Sequence, residues 1–240
     1  GIGDDAAVIR STCASGEVVT TDMLMEGVDF LYPQTSAWEM GRKALAVNLS
    51  DIAAMGAKPT AAFVSVAFPQ ARGETFAREV YAGLETLAAE YDVTIAGGDT
   101  NSWDGPFVIN VTVIGEPLGA AAILRSGAKP GDVILVTGAF GGSIRGRHVD
   151  FTPRLREARR LVELVTPHAM IDVSDGLAAD LHHLLEESGV GAIVDAATIP
   201  IHPDAHAMAD EVSPLRHALG DGEDFELIFA VSPEDATRLI

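Results

Sequence analysis

Residues 43–57, Lys43-Ala44-Leu45-Ala46-Val47-Asn48-Leu49-Ser50-Asp51-Ile52-Ala53-Ala54-Met55-Gly56-Ala57, set one carboxylate in the middle of a run that is mostly small and apolar. The spacing predicts a helix, with Leu45, Leu49, Ile52 and Gly56 on one face. Asn48 and Asp51, three apart, share another face with Ala44, Val47 and Ala54. A helix that is apolar on nearly every side is expected to be buried. A buried carboxylate without partners is costly or gives up its charge, so Asp51 needs a cation or several donors. Taken alone, a structural Asp bonded to backbone amides is the simpler reading, and a ligand role needs support from the rest of the chain.

Working outward, the 240 residues suffice for one large or two modest domains with a substantial core. Apolar residues make up 48% and aromatic residues 6%, an α/β-type composition. Lys and Arg total 16 against 35 Asp and Glu, a net charge of -19, which argues against nucleic acid as a partner. An anionic small molecule fits only with metal ions between it and the acidic groups. The single cysteine, Cys13, forms no internal disulfide, in keeping with a reducing compartment. No apolar run approaches the roughly 18 residues of a membrane span, and no charged-then-apolar leader opens the chain, so a cytoplasmic protein without membrane partners is expected. The opening GIGDDAAVI reads as the entry to a strand and Ser232-Pro233-Glu234-Asp235 as a capped helix start that stops, so a fragment is expected.

Along the chain, short strands are predicted at 6–9 and 17–21, separated by a polar turn at 11–16. Asp4 and Asp5 follow a glycine, a pattern that more often makes a turn than a site. Asp22 directly follows Thr20 and Thr21, expected at a strand end, where hydroxyl and carboxylate oxygens suit magnesium or serve an ordinary loop. A helix is expected from about Ser36 to Met55, with Gly56 as its stop. A strand at 61–67, an amphipathic helix at 74–91 and a short strand at 93–96 follow, the last ending in a turn Gly97-Gly98-Asp99-Thr100. That turn either brings phosphate-binding amides beside a metal-binding carboxylate or merely reverses the chain. A strand at 107–114 closes the first half.

A domain boundary is placed at the Ala- and Gly-rich connector that begins at 119, giving domains 1–118 and 119–240. Arg125 and Lys129, basic in an acidic chain, are solvated linker charges or reach a phosphate where the domains meet. The glycine-rich stretch 138–143 lacks the Lys-Ser or Lys-Thr of a Walker A loop, the dinucleotide fingerprint is absent, and no H-R-D or D-F-G triplet occurs. Strands are predicted at 133–137 and 227–231, and helices at 155–165 and 177–187. Between them, Asp172-Val173-Ser174-Asp175-Gly176 brackets a serine with two carboxylates; Asp172 alternates as a strand residue would, and Asp175 also fits a helix cap. All seven histidines are read as surface or core residues. Gly222-Glu223-Asp224-Phe225-Glu226 makes one more acidic turn at a strand mouth.

Carboxylates at Asp4, Asp22, Asp51, Asp99, Asp172 and Asp175, each at a glycine turn, a strand end or in an apolar run, could converge in one cleft only with cations. Oxygen ligands without Cys or His point to magnesium or manganese, and magnesium commonly binds substrate phosphates.

The joint motifs GIGDDAAV (1–8), TTDMLMEGVDF (20–30), RKALAVNLSDIAAMGAKP (42–59), GGDT (97–100), RSGAKPGD (125–132), DVSDGL (172–177) and GEDFEL (222–227) make the sequence similar to the thiamine-monophosphate kinases, relatives of aminoimidazole ribonucleotide synthetase. The resemblance implies a two-domain α/β (α+β) fold of mixed sheets flanked by helices, and a homodimer through the N-terminal domains. It implies direct phosphorylation of thiamine monophosphate by ATP, with no general base because the acceptor is already an anionic phosphate oxygen. Asp4, Thr20, Thr21, Asp22, Asp51, Asp99, Asp172 and Asp175 would hold several magnesium ions. Gly98, Asp99, Arg125 and Ser174 would contact ATP, and Glu223 would face the thiamine substrate. Asp29 stands where the commoner motif has a substrate-touching His. The alternatives are a related synthetase acting through a phosphorylated intermediate, or a nucleotide- and metal-binding fragment without turnover.

Overall fold

The computed structural model describes residues 3–9 and 16–240; Gly1, Ile2, Cys13 and most of the turn expected at 11–16 lie outside them. The long helix foreseen from the opening stretch is α1, Ala37–Ala54. Its start follows from Ser36 and Glu39, whose side chains each accept from the other's backbone amide in a capping box. Residues 40–50 are all buried and Asp51 is partly buried. The burial arises because α1 is covered on several sides at once.

On one side lies a sheet of β1 (Ala7–Ile9), β2 (Glu17–Met25), β3 (Ala57–Pro69), β4 (Thr94–Trp103) and β5 (Val108–Pro117), in the order β1-β2-β5-β3-β4. All neighbours are antiparallel except β3 and β4. Helix α2 (Gly73–Glu90) packs along α1 so closely that a Cβ on Gly41 would lie 1.9 Å from the Val80 carbonyl oxygen, and one on Gly83 1.9 Å from that of Trp38.

Beyond the connector 118–132, β6 (Val133–Val136), α3 (Arg147–Asp150), α4 (Leu155–Leu164), β7 (Ala169–Asp172), α5 (Leu177–Ser188), α6 (Pro203–His206), α7 (Pro214–Gly220), β8 (Leu227–Val231) and α8 (Pro233–Leu239) follow. Their antiparallel sheet has the order β6-β8-β7. Helices α3 and α4 and strand β7 contact α1 from this side, so the helix lies between the two sheets. Arg42 fastens the contact, donating to the backbone carbonyls of Val149 at 3.3 Å and Phe151 at 2.7 Å.

Two expectations are corrected. Asp22 does not end a strand: β2 runs on to Met25, and Asp22 sits in mid-strand opposite Val111. Gly97-Gly98-Asp99-Thr100 is not a turn but part of β4, which continues to Trp103 along β3. The reason lies at Gly98, whose φ of 150° and missing side chain let β4 run against β3; an added Cβ would fall 1.7 Å from the Val64 carbonyl oxygen. Among the described residues, no helix is long and apolar enough to cross a membrane.

Candidate active site

Strand alternation puts Thr20 and Asp22 on one face of β2 and Thr21 on the other. Thr20 faces α1, and its hydroxyl donates to Asp51 Oδ2. Thr21 Oγ1 instead meets Thr112 Oγ1 at 2.9 Å and Asn110 Oδ1 at 3.3 Å, away from the carboxylates. Asp22 lies near enough to Asp51 for its charge to raise the Asp51 carboxyl. From the opposite side Asp172, the last residue of β7, accepts the Ser50 hydroxyl.

Asp5, Asp51 and Asp172 each offer an oxygen within 4.8 Å of the others'. Asp5, which sequence reasoning passed over for its neighbour Asp4, therefore supplies the N-terminal carboxylate of this group. Adjacent acids cannot be ranked by local pattern, because which one turns inward depends on how the segment docks. Asp4 Oδ1 accepts the Arg125 amide at 3.0 Å, and the Arg125 guanidinium grips Asp5 from Nη2 at 2.8 Å and Nε at 3.3 Å. The cation expected to meet nucleotide thus neutralises part of the cluster in this structure.

The electrostatics follow from burial and crowding. Burial, then repulsion from Asp172, Asp22 and Asp5, pushes the Asp51 carboxyl well above the ordinary range. Asp172 is pushed up by burial and by Asp5. Asp5 is raised by burial, offset in part by Arg125, and Asp22 is raised chiefly by burial. A group of acids held at this cost is suited to take up positive charge. The donors are carboxylate and hydroxyl oxygens, which fits a hard divalent cation such as magnesium rather than zinc. Asn48, one helical turn before Asp51, adds a buried amide oxygen with no hydrogen-bond partner among the described residues.

Other predicted residues lie apart from this group. Asp99 is exposed on β4 opposite Ser65, and the pairing Asp22–Val111–Val64–Gly98 runs across four strands. At the usual strand spacing, Gly98 and Asp99 lie about 14 Å from Asp22, too far for one ion to bridge. Asp175 is exposed and groups with Asp180 and His183, again within 4.8 Å. Asp180 accepts the Asp175 amide at 2.9 Å, and burial pushes its carboxyl to about 6. Its position as the fourth residue of a helical pattern gave no sign of this role. Ser174 is exposed and uses its carbonyl to accept the Glu223 amide at 2.7 Å. Asp29 Oδ2 accepts the Met25 amide at 2.6 Å.

The remaining acids of the last turn are structural. Asp224 accepts the Gly141 amide at 3.0 Å and Arg147 at 3.0 Å, and Glu226 pairs with Arg154 and accepts the Thr137 hydroxyl at 2.6 Å. The glycine-rich stretch 138–143 is therefore tied to Asp224 at Gly141. Of the histidines, His217 is buried between Asp210 and Asp221, a core role as expected.

The sequence matches the family described as AIR synthase related protein, its N-terminal domain over residues 3–116 and its C-terminal domain over 129–240. The thiamine-monophosphate kinase of Rhodopirellula baltica is 46% identical over 248 residues, covering 98% of this chain and 77% of its own. The chain belongs to the thiamine-monophosphate kinase family. A crystal structure of the family member from Stenotrophomonas maltophilia superposes with a TM-score of 0.84 at 35% identity, covering all of this chain and 82% of the other. A second thiamine-monophosphate kinase family structure, described as AaThiL complexed with AMPPCP and TMP, superposes with a TM-score of 0.89 at 28% identity, covering 98% of this chain and 81% of the other. The two-domain mixed α/β fold of the family is thus the fold of this chain.

Proposed function

We propose that this protein transfers the terminal phosphoryl group of ATP directly to thiamine monophosphate, giving thiamine diphosphate at a site holding several magnesium ions. The observation that carries the reading is the convergence of Asp5, Asp51 and Asp172, with Asp22 and Thr20 alongside, where the two sheets meet across α1. Family membership and the relative complexed with AMPPCP and TMP supply the nucleotide and the acceptor.

Asp5, Asp22, Asp51 and Asp172 would hold magnesium, as would Asp4, Asp99 and Asp175 at the edges. Bound magnesium would supply positive charge to the phosphate oxygens of both substrates. The chain's own part is to position. Gly98, Asp99, Arg125 and Ser174 contact ATP, while Asp29 and Glu223 face thiamine monophosphate. No side chain acts as general base, since the attacking oxygen is already ionised and transfer is in line. Buried walls around Asp51 keep water from the competing hydrolysis. The separation of Asp99 from the central cluster fits a ligand as long as a triphosphate, touched at both ends.

The protein acts as a homodimer in this reading. Met23, Phe63 and Trp103 are exposed on the N-terminal sheet, at 60%, 41% and 43%, and a second copy would cover them. The domains 1–118 and 119–240 divide the work, the first supplying most of the carboxylates and the second Glu223 and Asp172. The full-length protein with ATP, magnesium and thiamine monophosphate tests the reaction: thiamine diphosphate should form, and Asp99→Asn should diminish it. Absence of product, or undiminished product in the variant, overturns the reading.

A further inference from the structure

The side chain of Lys43, the first residue of the 43–57 motif, is 0% exposed. A fully desolvated ammonium is retained only where it is paired and hydrogen-bonded. Its Nζ donates to Glu223 Oε1 at 2.5 Å and to the Asp29 carbonyl at 3.0 Å. One buried charge on α1 thereby joins two segments 180 and 14 residues away along the chain.

The Glu223 segment needs such a tie. Glu223 and Phe225 have φ of 52° and 51°, in the left-handed region that disfavours non-glycine residues. Backbone bonds hold the segment against the end of β7, from the Glu223 amide to Ser174 at 2.7 Å and from the Phe225 amide to Val173 at 2.8 Å. Phe225 stacks on Phe151 with ring centres 3.9 Å apart. These contacts fix the backbone but leave the Glu223 side chain to choose a direction. Lys43 makes that choice, taking one carboxylate oxygen inward while 37% of the Glu223 side chain remains open. The Asp29 carbonyl anchors the ammonium itself, and so sets how far the carboxylate stands from the loop at 25–30.

We propose that Lys43 is a positioning residue of the acceptor site, acting through Glu223. The proposal rests on the reading that Glu223 faces thiamine monophosphate. Lys43 touches no reacting atom; it holds the Glu223 carboxylate in one direction and cancels its charge toward an incoming phosphate ester.

Steady-state kinetics of the full-length protein test it. Lys43→Met should raise KM for thiamine monophosphate ~10-fold or more, since small misplacements of binding groups are costly, with KM for ATP within ~2-fold of wild type. Glu223→Gln should do the same, and the double variant should be no worse than the worse single one, because both changes break one arrangement. If Lys43→Met does not fold, Lys43→Met/Glu223→Gln, which isolates no buried charge, is compared with Glu223→Gln alone. A further rise in acceptor KM of more than ~3-fold there, or additive effects in the full cycle, overturns the proposal. So does an unchanged acceptor KM in Lys43→Met, or an equal rise in both KM values with a lowered Tm, which marks a merely structural lysine. A wild-type enzyme that makes no thiamine diphosphate would instead remove the underlying reading, and this proposal with it.

Discussion

Ser50 on α1 donates its hydroxyl to Asp172 at the end of β7, a hydrogen bond between residues 122 positions apart that joins the two halves of the carboxylate cluster. Ser50→Ala removes this donor from a fully buried acid. The variant should lose about 1–3 kcal/mol of stability, the usual cost of a buried polar group left short of a partner. Thermal unfolding checks it, and magnesium should restore part of the loss because the cation substitutes for the missing donor.

Asp51 should behave oppositely. Its carboxyl is pushed up by burial and by three neighbouring acids, so the ionised cluster opposes folding in metal-free protein. Asp51→Asn should therefore raise the metal-free Tm. The stabilisation by magnesium seen in wild type should shrink and magnesium-dependent turnover should vanish. Tm with and without magnesium, and product formation, are the measurements. A wild-type response to magnesium in the variant would return Asp51 to a structural role.

At Gly98 the prediction concerns position rather than charge. A Cβ there would lie 1.7 Å from the Val64 carbonyl oxygen, so Gly98→Ala must push β4 away from β3 and carry Asp99 with it. Overpacking of this kind costs about 1–3 kcal/mol. Catalysis should suffer more, with kcat/KM for ATP falling ~100-fold because a displaced ligand set misaligns its substrate. Kinetics beside thermal unfolding separate the two effects.

Asp224 gives a pH dependence. Burial holds its carboxyl at about 6 against an ordinary 3.8, even with the Gly141 amide and Arg147 opposing the shift. The folded state therefore binds this proton more tightly than the unfolded state. The stabilising contribution is complete below pH 3.8 and is lost as pH rises through about 6. The magnitude is about 3 kcal/mol for a shift of roughly two units. Asp224→Asn should flatten the stability curve of metal-free protein between pH 4 and 7 by that amount, about one proton's worth, as read from denaturant unfolding at stepped pH.

Local pattern was enough for the longer helices and for the positions of most strands. The apolar run around Asp51 announced a buried helix starting near Ser36, and the acidic motifs pointed to hard-oxygen ligands. These signals are legible because helix and strand periods, caps and residue chemistry act within a few positions of the chain. The extent of β2 and β4 was not legible: Asp22 and Gly97–Thr100 look like strand ends, and only pairing with β5 and β3 keeps them extended.

What the sequence by itself determined, then, is that Asp51 is buried and must be compensated. Only the tertiary structure decided that Asp5 rather than Asp4 joins it, that Thr20 rather than Thr21 faces it, that Arg125 is spent on Asp5, and that Lys43 meets Glu223. Each of these depends on the order of strands and the docking of α1 between two sheets. Contacts across 120 to 180 residues are fixed by which surfaces bury one another, and that information is carried by the whole chain rather than by any stretch of it.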